Sequence, residues 1–240
     1  MIKKLTWLLL LAVILGGCQS QKKIAGTAPP EKKKKEDFKK YKEVITGEAQ
    51  SDDGLFTTHL VDEDLYYEIP DSLFNKDMLW VSRIAKVPAG YGGGYVNAGS
   101  KVNEQVVRWV RRGKHIDLKV MSFENESDEG SPIHISVANN NFEPILFSAP
   151  IETFGKDSTT VVIQVNKLFE DEVGALDGLS PRLKKEYKAK GMDKNRSYIE
   201  SAHAYPKNIE VKHVTTYEAE EPPERGQAGT ISLMMNQSMI

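Results

Sequence analysis

The sequence predicts a mainly β protein of the α+β kind, with antiparallel meander sheets forming a sandwich or a partly closed barrel and one or two short helices. Three observations lead there. Apolar and polar residues alternate in run after run from Gly54 onward, the period of a half-buried strand. Turn signals at Asp62-Glu63-Asp64 and Arg112-Gly113-Lys114 separate neighbouring runs as hairpin loops do. Helix signals are confined to two short stretches. Many strands joined by short turns must bury one face against another sheet or close upon themselves.

The first residues stand apart from this pattern. Lys3 and Lys4 precede an apolar run, Leu5 to Leu15, too short to cross a bilayer comfortably, so residues 1–17 read as a secretory signal. The run ends in Leu15-Gly16-Gly17-Cys18, the pattern of a bacterial lipoprotein signal: small residues admit the peptidase, and the Cys18 thiol takes a diacylglycerol. Two or more acyl chains on one residue, at about 0.8 kcal/mol per buried CH2, anchor a protein stably. The expected location is the cell envelope, lipid-anchored to the outer membrane of a Gram-negative bacterium. Cys18 is the only cysteine, so the mature chain has no disulfide and no thiolate metal ligand. No later run reaches eighteen apolar residues.

Loss of the signal removes two lysines and takes the formal charge from −2 to −4, which gives no general attraction to nucleic acid. An apolar content of 40% suits a globular body. Residues 18–36, with Pro29-Pro30 and a lysine run, cannot bury enough surface to fold and form a flexible tether. Its lysines either rest on anionic head groups or simply keep the spacer solvated.

Residues 37–88 are expected to form a small β-rich domain. Phe38, Tyr41 and Ile45 share a face behind Glu36 and Asp37 and ahead of Gly47, which predicts a short amphipathic helix. "GLFTTHLVDEDLYYEIP" then gives a hairpin, and "MLWVSRIAKV" a third strand of buried character. Residues 89–240 are expected to form a second β-rich domain, cut short at its C-terminus. Its strands are the two flanking Gly113, then Pro144 to Thr153, Ser158 to Val165, Arg196 to Tyr205, Ile209 to Tyr217 and Thr230 to Ile240. One helix interrupts them, with Ser180 as N-cap, Pro181 at its first position, Leu183 and Tyr187 on one face, and Gly191 as the expected C′ glycine.

No motif in the chain carries chemistry by itself. "AGYGGGYVNAGS" is glycine-rich, but Gly99-Ser100-Lys101 is not the order of a phosphate-binding loop and a strand follows. Tyr91, Gly92, Gly93, Gly94 and Tyr95 are therefore either a plain connection or a partner-contact loop. The five histidines include no H-E-x-x-H pair; His203 and His213 approach only if a hairpin turns at Pro206-Lys207-Asn208, and no third metal ligand joins them. No G-x-S-x-G elbow supports a serine nucleophile. Trp80 and Trp109 sit in strand-like runs and read as core residues rather than sugar-stacking platforms.

The segments "DDGLFTTHLVDEDLYYEIPDSLFNKDMLWVSRIAK", "YGGGYVNAGSKVNEQVVRW", "NFEPILFSAPIETFGKDSTTVVIQVNKLF" and "YPKNIEVKHVTTYE", in that order, resemble the amino-terminal region of large bacterial zinc-dependent metalloprotease lipoproteins. The resemblance runs from about Tyr41 onward. It implies two domains of uncharacterised function ahead of a catalytic H-E-x-x-H module that lies outside this sequence, so no zinc ligand or catalytic residue is carried over and zinc is expected only in that module. It also implies a non-catalytic portion that scaffolds, inhibits or presents substrate to a downstream or separate catalytic domain. The alternative is a stand-alone lipoprotein binding module of the cell envelope. Ile231, Leu233 and Met235 in the last run either form an edge covered by a further domain or pair within their own sheet.

Overall fold

A computed structural model describes residues 38–224 and 229–240; the expected signal at 1–17 and the tether at 18–36 lie outside them. In chain order the strands are β1 (Gln50–Asp52), β2 (Thr57–Val61), β3 (Asp64–Pro70), β4 (Met78–Lys86), β5 (Lys101–Arg112), β6 (His115–Val120), β7 (Ile145–Phe154), β8 (Thr160–Gln164), β9 (Ala189–Met192), β10 (Tyr198–Tyr205), β11 (Asn208–Ala219) and β12 (Thr230–Met239). The helices are α1 (Tyr41–Val44), α2 (His134–Asn140), α3 (Asn166–Glu170) and α4 (Pro181–Glu186).

Period-two patterning decides the strands. Along β3, Leu65, Tyr67 and Ile69 point inward and are buried, and the residues between them face outward. β8 reads "TVVIQ" without alternation because both its faces are covered: Val161 and Ile163 face the main core, while Val162 packs outside against Val44 and Ile45. Both expected hairpins form. Val61 pairs with Asp64 around Asp62 at φ 54°, and Arg112 pairs with His115 around Gly113 at φ 63°.

All neighbouring strands are antiparallel, in the order β1-β2-β3-β8-β7-β6-β5-β4-β12-β11-β10, with β9 also pairing β11. The sheet curls into a nearly closed barrel whose two edges, β1 and β10, meet at one end. There Leu55 N–H donates to Tyr205 O at 2.7 Å and Ala204 N–H donates to Asp52 Oδ2 at 3.1 Å. Gly54 permits this approach, since a Cβ on it would stand 2.4 Å from Tyr205 O. Strands from both sides of residue 88 alternate in the sheet: β3 pairs β8, and β4 lies between β5 and β12.

The interior is filled. Tyr67, Trp80, Trp109, Leu118 and Val211 belong to one buried cluster, and α3 contributes Leu168 and Phe169 to it. The Phe169 ring lies 6.4, 6.3 and 5.4 Å from the rings of Tyr67, Trp80 and His213, so it bridges β3, β4 and β11 from within. A second cluster lies where α4 packs Leu183, with Tyr187 just beyond its end, against Tyr217, Ile231, Leu233 and Met235. β12 pairs on both sides, with β11 and β4, so it is not an edge of the sheet, and its Ile231, Leu233 and Met235 are covered by Leu183 and Tyr187.

Two helix ends differ from expectation. α1 is a single turn that stops at Val44, before Gly47. α4 begins as expected, Ser180 Oγ accepting from Leu183 N–H at 3.4 Å with Pro181 next, but its C-cap is Tyr187, and Lys188 takes the left-handed position at φ 46°. Gly191 belongs to β9 instead. No helix among the described residues is long and apolar enough to cross a membrane.

Candidate functional site

The glycine loop is divided between interior and surface. Tyr91 is 1% exposed; its hydroxyl donates to Gly178 O at 2.7 Å, while Gly92 N–H donates to the Tyr187 hydroxyl at 2.7 Å. These two bonds clasp the loop to α4 and the segment before it. Gly92 has φ 59°, and a Cβ there would come within 2.6 Å of Val96 Cγ2, so the clasp requires glycine. Gly93 and Gly94 face outward with Tyr95, which is 91% exposed. Cys18 lies outside the described residues.

His203 and His213 are not brought together. Register places His203 opposite Glu210, three residues from His213 on β11, so the two rings occupy opposite faces of the sheet. His203 faces an outer groove of about 410 Å³ that Arg83 and Lys212 also line. His213 is buried inside: its Nδ1–H donates to Phe169 O at 2.9 Å, and its Nε2 accepts from Gln237 Nε2 at 2.9 Å. Burial pulls the imidazole pKa down to about 4, against the hydrogen bond to Phe169. Trp80 and Trp109 are core residues, as their strand context predicts. No group of three metal-ligating side chains occurs among the described residues.

A chain of hydrogen bonds that sequence spacing does not reveal runs across β1, β2 and β3. Ser51 Oγ is 2.7 Å from His59 Nδ1, and His59 Nε2 is 3.1 Å from Glu68 Oε2. An ionised Glu68 only accepts, so His59 Nε2 carries a proton and donates to it. Tyr41 donates to the same Glu68 oxygen at 2.7 Å and Thr160 to the other at 2.5 Å. Burial alone would raise the Glu68 carboxyl, but the bonds from His59, Thr160 and Tyr41 outweigh it and hold the pKa at about 2. With Tyr41 coming from α1, the network fastens that turn to the outside of the barrel. The only signal in the sequence is that Ser51, His59 and Glu68 fall on one predicted hairpin and its approach.

A long surface excursion, residues 121–144, joins β6 to β7. Phe123, Ile133, Ile135 and Phe142, with Ile145 at the start of β7, are between 45% and 75% exposed, and α2 buries none of its residues. Polar bonds hold the excursion in shape: Asn141 Nδ2 donates to Asn125 O at 3.0 Å and Asn140 Nδ2 to Ser136 O at 2.8 Å. It encloses an open hollow of about 730 Å³ lined by Glu126, Asp128, Glu129 and Glu143, with His134 and Arg108. Both cations beside it are engaged, Lys119 with Glu143 at 3.3 Å and Arg108 with Asp77. Apolar side chains exposed on a folded domain, unlike those of the core, gain by being covered, which suits a contact role.

A family model described as Domain of unknown function (DUF5117) matches residues 99–240, more than half of the chain. The chain belongs to the DUF5117 family. A second model, Domain of unknown function (DUF5118), matches residues 38–87. No curated protein and no solved structure matches the chain. The DUF5117 stretch supplies β5 to β12 with the apolar excursion, and the DUF5118 stretch supplies α1 and β1 to β4. The two are stitched together at the Glu68 network, since Thr160 of the DUF5117 stretch donates to Glu68 of the other. The Tyr91–Gly94 loop falls between them.

Proposed function

We propose that this chain is the non-catalytic amino-terminal portion of a membrane-anchored zinc-dependent metalloprotease, tethered through Cys18, and that its barrel is a recognition module for the catalytic domain. The observation that supports this reading is the division of the surface. The barrel interior is occupied by Phe169 and its neighbours, so recognition falls to the outside, and the apolar excursion between β6 and β7 is exposed there. The sequence resemblance supplies the class of partner.

Two experiments test it. Sequencing the locus and purifying the tagged chain from its native envelope should find an H-E-x-x-H protein, either in the same polypeptide or co-purifying with it. Finding neither would overturn the proposal in favour of a stand-alone binding module. Cys18→Ala should move the protein from the membrane to the soluble fraction, and continued retention would contradict the lipid anchor.

A further inference from the structure

The excursion between β6 and β7 is built unlike the rest of the molecule. Elsewhere most large apolar side chains turn inward; here four, Phe123, Ile133, Ile135 and Phe142, stand out on a segment whose shape is kept by asparagine side chains. Apolar surface kept in water by a polar framework costs about 25 cal/mol per Å² relative to a covered one, so covering it favours association.

Charge selects the occupant. Glu126, Asp128 and Glu129 line the hollow with no ion-pair partner among the described residues, and the cations beside them, Lys119 and Arg108, are already bound to Glu143 and Asp77. An anionic bilayer would be repelled by this rim. A second copy packed symmetrically would set the same carboxylates against each other. A polypeptide face with an apolar centre and a lysine or arginine border satisfies both features.

We infer that the β6–β7 excursion docks a basic amphipathic segment of a partner protein, seating its apolar face on Ile135, on one side of α2, and Phe142, just past its end, and its cations over Glu126, Asp128 and Glu129. This deepens the recognition-module reading and rests on it. The locus experiment can succeed while peptide docking fails, so the two failures are distinguishable.

The test uses the mature chain and a fluorescent synthetic helix with leucines on one face and lysines on the other. A leucine and glutamate helix of equal length, phosphatidylglycerol vesicles and sedimentation of the chain alone complete it. The lysine helix should bind, and binding should weaken as salt rises. Ile135→Ser with Phe142→Ser, and separately Glu126→Gln with Glu129→Gln, should each weaken it about tenfold or more while circular dichroism and melting stay unchanged. Two independent pairs keep the test decisive if one fails to fold. Equal binding of the glutamate helix, wild-type affinity in a folded variant, vesicle binding by the Cys18→Ala chain that the Ile135→Ser and Phe142→Ser pair abolishes, or dimerisation through the excursion would each overturn the inference.

Discussion

Gln237 on β12 donates its amide N–H to His213 Nε2 on β11 at 2.9 Å, and this contact completes a network in which every polar group of the Gln237 amide is used. Its second N–H goes to Leu176 O at 3.0 Å, and its oxygen accepts from Trp80 Nε1 at 2.9 Å and Ser82 Oγ at 2.6 Å. The segment after α3 is thereby bonded to the barrel wall from inside. Gln237→Leu would take a partner from four buried groups at once. The expected loss is about 3–5 kcal/mol, read as a lower urea midpoint, with the m-value unchanged.

His213 predicts a pH dependence. Its folded pKa of about 4 lies below the ordinary value of 6.5, so the unfolded chain takes up a proton first as pH falls. Stability should be complete above about pH 6.5 and decline by up to about 3 kcal/mol on the way to pH 4. Urea melts across that range check it, and His213→Leu, though less stable overall, should lose most of the slope.

Glu68 acts lower on the scale. Its folded pKa of about 2 lies below 4.5, so its contribution is present above about pH 4.5 and is lost as pH falls toward 2. The carboxylate is half-buried, and screening reduces the effect to about 1–2 kcal/mol. Glu68→Gln should lower stability at neutral pH and flatten this acid limb. Ser51, at the far end of the same chain of bonds, should not be labelled by a fluorophosphonate; specific labelling there would show a reactive serine.

The local half of this architecture is legible in the sequence and the long-range half is not. Two-residue turns at Asp62-Glu63 and Gly113-Lys114 announce hairpins because their neighbours alternate in phase. Nothing in "SLMMNQSM" announces that Met239 pairs with Trp80, since that contact depends on how the whole sheet curls. α2 goes unread because its residues face solvent and leave no buried helical stripe. Gly191 is a false stop signal because Lys188 takes the left-handed turn instead. The Ser51, His59 and Glu68 chain carries no motif spacing; only strand register assembles it.

Gly54 tests how the barrel closes. A methyl group there meets the Tyr205 backbone, so Gly54→Ala should cost about 1–3 kcal/mol and speed amide exchange at Leu55. Gly47→Ala, whose added carbon meets nothing within 4 Å, should change neither.

If the barrel recognises rather than cleaves, as proposed, the most direct measurement is zinc content together with peptidase activity of the purified mature chain. The expected result is no tightly held zinc and no cleavage by the chain alone. One zinc per molecule accompanied by peptide hydrolysis would contradict a recognition role.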